Sequence, residues 1–598
     1  MTTVEEDRVM VPGSTARAVH GNFVQLSSGL LVPAGAAPRP FDMAAVYITG
    51  RELFGVAPGL AYTVDQLKRL PFAEVLFFVA STLVPYRDLE VSDRDADLQF
   101  ADRWLDGDAL QRAKNLLRSP ARRLVVPQAL YVLAKLAAAH SPDTVAPEVE
   151  AGQVPGALFG AVEVLERPRA QPADDDEIVD TRVTELSSYL VANHHLNQPV
   201  DVDQLMARFV RLWVELPVER AHDKKVINLE QTFRDVTGVT LNDLQALTMW
   251  LWTLGQNGTP HVSWDVLRET MHWSSERLEA TLRLFATDVQ TLRTGLLGEA
   301  DPAFVWAFDT LERYPVVRLE DGSVLLLDSN LLLRHVFGGL TLLDLVDALD
   351  QSPDHTHRKL KNQVLDCVRH LAEMLALEVL TSLVGTGPGS TRVFGDIELR
   401  GAFGRPGRRI CDAAVDYGDA WVVVEVTTSK LTRGSVAASP EALSGDLNKL
   451  VAKAEQLHST IVALRAEESS LTGRPPHAVR RFYPLLVAAE GFPVNPVSTE
   501  LLRSRVREKG LLADPDTAPL EVVDTVELAM LEGLAEQGGP SMRDVLAGKE
   551  RAVFHRMSLR DYLLQDARLR PRRTQRVQEL MDKGWEPALD TLRPTPTR

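Results

Sequence analysis

Two carboxylates in the C-terminal half of the chain are spaced so that a β-hairpin would bring them together. The stretch Ile410–Lys430 reads ICDAAVDYGDAWVVVEVTTSK, and Gly418-Asp419 is its tight-turn signal. Counting outward from that turn places Asp412 directly across from Glu425. Opposed residues have Cβ atoms about 5 Å apart, so two like charges there need a compensating partner. A divalent cation that prefers oxygen ligands, Mg²⁺ or Mn²⁺, would provide one.

The elements around this hairpin can supply further charged groups. A capped amphipathic helix is predicted over Ser444–Leu464, and Lys449, Lys453 and Gln456 line up along it at i, i+4 and i+7. Either lysine could approach the acidic pair, and we favour Lys449 slightly because it lies nearer the start of the helix. Glu373, on the long helix predicted before the hairpin, is a possible third acid.

An Asp on one strand, a Glu in VVVEVT on the next strand and a following lysine-bearing helix resemble the PD-(D/E)XK nuclease superfamily. The predicted order α-β-β-β-α-β, over about residues 355–545, resembles the core of that fold. The resemblance implies that the Asp and the Glu bind Mg²⁺ or Mn²⁺ and that a lysine assists the attacking water. Thr427 stands where the family's lysine is expected, and some members supply that lysine from a neighbouring helix. The implied catalytic residues are Asp412, Glu425, Lys449 and Lys453, and the implied metal ligands are Asp412, Glu425 and Glu373.

Nucleic acid is the substrate that the resemblance implies, and we expect DNA rather than RNA. The net charge of −17 argues against binding by the whole surface, so a local basic face is needed. A second arginine cluster near the C-terminus is the alternative to the one that directly precedes the hairpin. The preceding cluster consists of Arg400, Arg405, Arg408 and Arg409.

The composition is that of an ordinary globular protein, with 45% hydrophobic and 25% charged residues among 598. Cys367 and Cys411 are the two cysteines, which excludes a disulfide framework and a cysteine-built zinc site. We therefore expect a cytoplasmic protein. The longest apolar stretch, Val75–Pro85, is too short to span a bilayer, so we expect no membrane partner.

Rival catalytic motifs are missing from the sequence. It contains no G-x-S-x-G nucleophile turn, no H-E-x-x-H zinc helix and no Gly-Lys-Ser/Thr phosphate loop. These absences exclude the commonest serine hydrolase, zinc protease and nucleotide triphosphatase signatures. The acidic hairpin is left as the main candidate for catalysis.

The periodicity of apolar residues predicts a large, mainly α-helical N-terminal region and an α/β C-terminal domain, which the resemblance implies is nuclease-like. That N-terminal part could bind a protein partner or form a homo-oligomer. A role in bacterial defence or DNA repair fits this layout by analogy. The predicted divisions are a mainly helical region at 1–170, a second helical region at 178–350, the nuclease-like domain at 355–545 and a helical basic extension at 546–598.

Two alternatives remain open at this point. Helices predicted on either side of His272-Trp273-Ser274 could form a DNA-reading helix–turn–helix, but SERLEATLRLF carries two Glu against two Arg, and plain helix packing competes. Thr427 in place of the strand lysine also allows a catalytically inactive, nuclease-like module that binds or assembles.

Overall fold

The computed structural model is mostly helical, with a mixed sheet of five strands near the C-terminus. None of the helices in the described part of the chain is long and apolar enough to cross a membrane. The described residues are 17–20, 23–25, 31–33, 46–119, 122–143, 153–165, 176–197, 200–299, 306–384, 392–475, 480–489, 491–551 and 555–592.

The secondary structure elements are numbered in chain order. The strands are β1 (Arg17–His20), β2 (Phe23–Gln25), β3 (Leu31–Pro33), β4 (Val46–Tyr47), β5 (Arg122–Arg123), β6 (His261–Val262), β7 (Ala286–Asp288), β8 (Val316–Arg318), β9 (Val324–Leu326), β10 (Arg392–Gly395), β11 (Ala413–Asp416), β12 (Ala420–Thr427), β13 (Arg481–Ala488) and β14 (Glu521–Asp524). The helices up to residue 300 are α1 (Gly50–Phe54), α2 (Gly59–Leu67), α3 (Phe72–Arg87), α4 (Asp93–Trp104), α5 (Gly107–Leu116), α6 (Pro127–His140), α7 (Gln153–Leu165), α8 (Asp176–Asn197), α9 (Val202–Val210), α10 (Leu216–Glu219), α11 (Leu229–Thr237), α12 (Leu241–Gln256), α13 (Trp264–Met271), α14 (Ser275–Leu282) and α15 (Val289–Gly298). Those that follow are α16 (Asp309–Arg313), α17 (Ser329–Phe337), α18 (Leu340–Gln351), α19 (His355–Val384), α20 (Asp396–Phe403), α21 (Arg433–Val436), α22 (Pro440–Thr472), α23 (Pro496–Glu508), α24 (Thr525–Glu536), α25 (Met542–Arg551), α26 (Leu559–Gln565) and α27 (Gln575–Leu592).

The chain divides into two compact units, and each unit is built from separate stretches of sequence. The first comprises Met1–Phe41, Gln171–Leu196 and Asp366–Glu579, and it contains the five-stranded sheet. The second comprises the remaining stretches and is mainly helical. The first unit thus takes α8 from the middle of the sequence, because Val183 and Val191 of this helix join the core of the sheet.

The five-stranded sheet has the order β10-β11-β12-β13-β14. The first three strands are antiparallel, whereas β12, β13 and β14 run parallel. The sequence of Val393–Leu399 predicts the first strand of the sheet, but this strand ends at Gly395. The chain turns into α20 there because the Glu398 carboxylate accepts the Gly395 N–H at 3.1 Å and so favours a helix start.

Both faces of the hairpin β11–β12 are buried. The alternation of strand side chains puts Val422, Val424 and Val426 on one face, and every residue of β12 is buried. The opposite face, which carries Trp421, Val423 and Glu425, packs beneath α22, whose apolar stripe extends from Leu443 to Leu464. The acidic face is therefore covered by a helix over most of its length.

Helix α22 is longer than the predicted Ser444–Leu464. Ser439 caps its start by accepting the Ala442 N–H at 3.2 Å, and Pro440 occupies the first helical position. Gly473 ends the helix in the left-handed region at φ 67°. The added turn at the start moves Lys449 away from the helix end and towards its middle.

A helix–turn–helix is present in the second unit where the sequence predicts it. Helices α13 and α14 flank His272, which adopts φ 54° at the turn. Strand β6, which precedes α13, pairs with β9 of the hairpin β8–β9. Glu276 is exposed on α14, and Arg277 is bound to Asp243 at 2.6 Å, so the described contacts place acidic groups beside the positive charge of the second helix.

A buried ion network stabilises the turn end of the hairpin. Arg480 pairs with Asp416 at 2.7 Å and also with Glu468, and its guanidinium lies 5.4 Å from the centre of the Trp421 ring. Trp421 itself donates to Glu468 at 3.2 Å. All four residues are buried. Asp416 is thus a structural ion-pair partner at the opposite end of the strand from Asp412.

Arg480→Met is expected to lower the free energy of unfolding by about 3–5 kcal/mol, because it leaves two carboxylates buried without their cation. Urea unfolding followed by circular dichroism measures the loss. Arg474→Met, at an exposed position in the same unit, should change stability by less than about 0.5 kcal/mol. Equal effects of the two changes would show that the network contributes no stability.

Candidate functional site

The hairpin turn brings Asp412 and Glu425 together with the predicted register. Tyr417 N–H donates to the Ala420 carbonyl at 2.9 Å, and Gly418 adopts φ 86° in the turn. The ladder from this turn ends with Ala413 opposite Val424, so the next pair outward is Asp412 and Glu425. Asp412 lies just before β11 and accepts the Val426 N–H at 2.8 Å. The predicted register holds over the whole ladder, and Asp412 lies beside the backbone of β12 next to Glu425.

Glu425 has two carboxylate oxygens in different surroundings. The residue is 1% exposed. Its Oε1 accepts from Lys453 Nζ at 2.7 Å and from the Gln456 amide. Its Oε2 is buried and has no hydrogen-bond partner. Because buried carboxylate oxygens normally have partners, Oε2 is a candidate ligand atom for a bound group.

Lys453, rather than Lys449, is the lysine that reaches the acidic pair. Lys449 lies one turn earlier on α22, where its ammonium contacts Asp446 at 2.8 Å and its side chain is 53% exposed. The preference for Lys449 is therefore not met. The reason is that α22 starts earlier than predicted and that Glu425 packs deeper along the helix.

Burial dominates the electrostatics of the two acids. Burial raises the pKa of Asp412 to about 6, and the nearby Glu373 carboxylate acts in the same direction, against the Val426 hydrogen bond. Burial and the charge of Asp412 together raise the pKa of Glu425 to about 8, although Lys453 opposes the shift. Without a cation, both groups therefore bind a proton more tightly in the folded protein than in the unfolded chain.

Asp412→Asn is expected to stabilise the metal-free protein at pH 7. An acid with a raised pKa in the folded state binds its proton more tightly there than in the unfolded chain, so stability falls as pH rises from about 4 to about 6. The amide removes this loss, while its oxygen can still accept the Val426 N–H. We expect a gain of at least about 1 kcal/mol, or about 2–4 °C in Tm. Thermal unfolding in EDTA at pH 5 and pH 7 measures it, and a lower Tm for the variant at pH 7 would contradict the assignment.

Two further acids lie close to the pair. Glu373, on α19, acts electrostatically on both Asp412 and Glu425. Asp396 follows Gly395, which pairs with Ala413, and it too acts on Asp412. Asp396 itself contacts Arg400 at 2.5 Å. Even so, no group of three or more His, Cys, Asp or Glu residues is arranged to hold a metal ion within the residues that the structure describes.

Gln456 and Asp396 are the residues beside the pair to which the sequence assigned no role. Gln456 shares the helix face of Lys453, so its place in that polar stripe was a usable signal. No feature of the sequence pointed to Asp396, because the strand predicted over Val393–Leu399 runs through it. The local helix start at Gly395 decides its position instead.

The four arginines before the hairpin are paired with three different carboxylates. Arg400 is tied to Asp396, on the site's side of the sheet. Arg405 contacts Glu467 at 2.7 Å, and Arg408 contacts the same carboxylate at 3.8 Å. Glu467 lies fourteen residues after Lys453 on α22, about 21 Å along the axis. Arg409 lies 4.0 Å from Glu455.

Thr427 takes part in the turn that follows β12. Its side chain is buried, and its hydroxyl accepts the Ser429 N–H at 3.2 Å. The nuclease superfamily described above has a lysine at this strand position, whereas in this chain Thr427 stabilises a turn. A cation reaches Glu425 from α22 instead.

The comparisons with known proteins come to one result. No family model, curated protein or solved structure matches this chain. The interpretation of the site therefore depends on its geometry: a buried acid with one oxygen held by Lys453 and Gln456, a second oxygen without a partner, and an opposed half-buried Asp412.

Proposed function

We propose that the first unit is a divalent-cation-dependent hydrolase of phosphodiester bonds in nucleic acid, with DNA as the substrate. The observation that supports this most is the unpartnered, buried Oε2 of Glu425 beside Asp412. Asp412 and Glu425 lie together, and burial raises the pKa of both. Neighbouring acids whose pKa values are shifted in this way are typical of functional sites.

The two carboxylates suit Mg²⁺ or Mn²⁺ better than they suit a metal ion that is coordinated by protein groups alone. Mg²⁺ usually keeps several waters and binds through one or two carboxylates together with substrate phosphate oxygens. Asp412 and Glu425 would hold it, and the Glu373 carboxylate acts electrostatically on both.

A bound cation would lower the pKa of a water and neutralise charge on the phosphate during in-line attack. The protein's own groups have separate tasks. The Lys453 ammonium holds Glu425 Oε1 at 2.7 Å, which leaves Oε2 for ligation, and two of its three N–H donors can orient a water or phosphate oxygen. Gln456 keeps the same carboxylate in position. Solvent reaches the pair beside Asp412 and Lys453, which are both partly exposed.

Incubation of the purified protein with plasmid and with single-stranded DNA, in Mg²⁺ and in EDTA, tests the proposal. We expect products with Mg²⁺ or Mn²⁺ and none with EDTA. An intact DNA substrate under both conditions, with no heat of Mg²⁺ binding by calorimetry, would favour the alternative of an inactive binding or assembly module. Cleavage of RNA alone would keep the chemistry and change the substrate. A cytoplasmic role in defence or repair is part of this proposal.

A further inference from the structure

One face of α22 carries a stripe of residues that become more buried towards the acidic pair. Gly445, Lys449 and Lys453 recur at every fourth residue, so they lie one above another along the helix. Gly445 and Lys449 are exposed, whereas Lys453 is partly buried against Glu425. Each step is about 6 Å along the axis. The stripe therefore runs from solvent to the candidate catalytic acid.

Gly445 is a glycine that the fold does not need. It lies inside a regular helix, where glycine costs about 1 kcal/mol relative to alanine. A Cβ built at this position meets nothing within 4 Å, so no neighbouring group excludes a side chain. Glycine in such a place lets another molecule approach the backbone closely. Because Gly445 lies one turn before Lys449, this open position belongs to the same stripe.

The segment before α22 is fixed beside this stripe by Asp446. The buried carboxylate of Asp446 accepts from Thr432 N–H at 2.7 Å, from the Ser435 hydroxyl at 2.6 Å and from Lys449 at 2.8 Å. Arg433 follows Thr432 directly and is exposed. One acid thus anchors Lys449 and the backbone next to Arg433, so the two residues lie at the same end of the stripe.

We infer that Gly445, Lys449 and Arg433 form a track for the phosphodiester backbone of a single DNA strand, which delivers a phosphate to Lys453 and Glu425. The inference rests on the proposed function and assigns its substrate path. The two cations contact phosphates, which positions the strand without reading its sequence. Gly445 leaves room for the backbone to lie against the helix. Lys449 is accordingly a binding residue, and Lys453 is the one at the reacting phosphate.

Fluorescence anisotropy with a labelled single-stranded DNA oligonucleotide, in EDTA so that nothing is cleaved, tests the track across a range of salt concentrations. The double variant Lys449→Gln/Arg433→Gln should bind at least about tenfold more weakly at low salt. The slope of log K against log[salt] should become shallower by about 1.4, since each phosphate contact on a single strand contributes about 0.7. Gly445→Glu should weaken binding to a similar degree.

Matched controls separate the track from general charge. Lys509→Gln/Arg474→Gln removes two exposed cations from the same unit and should leave the slope unchanged. Gly298→Glu places the same new charge on an open helix position of the second unit and should also leave it unchanged. Equal slopes for the wild type and the Lys449/Arg433 variant, or equal losses in the control variants, would overturn the inference.

Failure of the track and failure of the proposed function give different results. If DNA is cut in Mg²⁺ while the Lys449/Arg433 variant keeps the wild-type slope, the track is wrong and hydrolysis stands. If the slope falls as expected but no cation supports cleavage, the track stands and hydrolysis is wrong. Tighter binding of an RNA strand of the same sequence would overturn the assignment to DNA. No binding of either strand by the wild type would overturn the track.

Discussion

Asp412→Ala and Glu425→Ala are each expected to reduce Mg²⁺-dependent cleavage of DNA to the level of the wild type in EDTA. Each change removes a carboxylate that the proposed cation needs, and with it the means of neutralising charge on the phosphate. Glu425→Ala also leaves Lys453 and Gln456 without the acid that they hold. Initial rates with and without Mg²⁺, together with calorimetric titration of Mg²⁺, measure both effects.

Asp419→Ala is the matched control for these two variants. Asp419 is an exposed acid at the turn of the same hairpin, where it pairs with Arg543. Its loss removes one negative charge from the hairpin without touching the candidate site, so the rate should stay within about twofold of the wild type. A folded Asp412→Ala protein that cuts DNA as fast as the Asp419→Ala protein would remove Asp412 from the site.

Lys453→Ala is expected to lower kcat at least about 100-fold, in the range seen when one transition-state donor is lost. KM should change little, because the ammonium lies at the acid and not on the outer track. Lys449→Ala should instead raise KM while kcat stays near the wild-type value. Steady-state kinetics on one labelled DNA substrate separate the two lysines.

Lys453→Arg sharpens this test. Arginine keeps the charge but cannot reproduce the compact ammonium geometry at Glu425, so we expect only partial recovery of kcat. Full activity of Lys453→Ala would mean that no helix lysine replaces the missing strand lysine. A loss of kcat in Lys449→Ala equal to that in Lys453→Ala would contradict the division of tasks between the two residues.

The hairpin register was predictable because it depends on short-range rules. A two-residue turn at Gly418-Asp419 and the strict alternation of strand side chains determine which residues oppose each other. Once the turn is identified, Asp412 must face Glu425. The same rules explain why Asp416 lies away from the candidate site and pairs with Arg480 instead.

Contacts between separate elements were less predictable. Whether Lys449 or Lys453 reaches Glu425 depends on where α22 starts and how deeply it packs on the sheet. The positions of Arg405 and Arg408 depend on Glu467, which lies about sixty residues later in the sequence. Periodicity shows which face of a helix is apolar, but it does not show what covers that face.

The contribution of α8 to the sheet's core has a consequence for how the protein folds. The Ser188 hydroxyl donates to the carbonyl of Ala438 at 3.0 Å, across 250 residues of sequence. A ribosome that adds about 5–20 residues per second needs roughly 12–50 s to make the intervening chain. During that time, Val183 and Val191 have not met the sheet that buries them. We therefore expect the core of the first unit to be completed only after the chain has been made past Ala438.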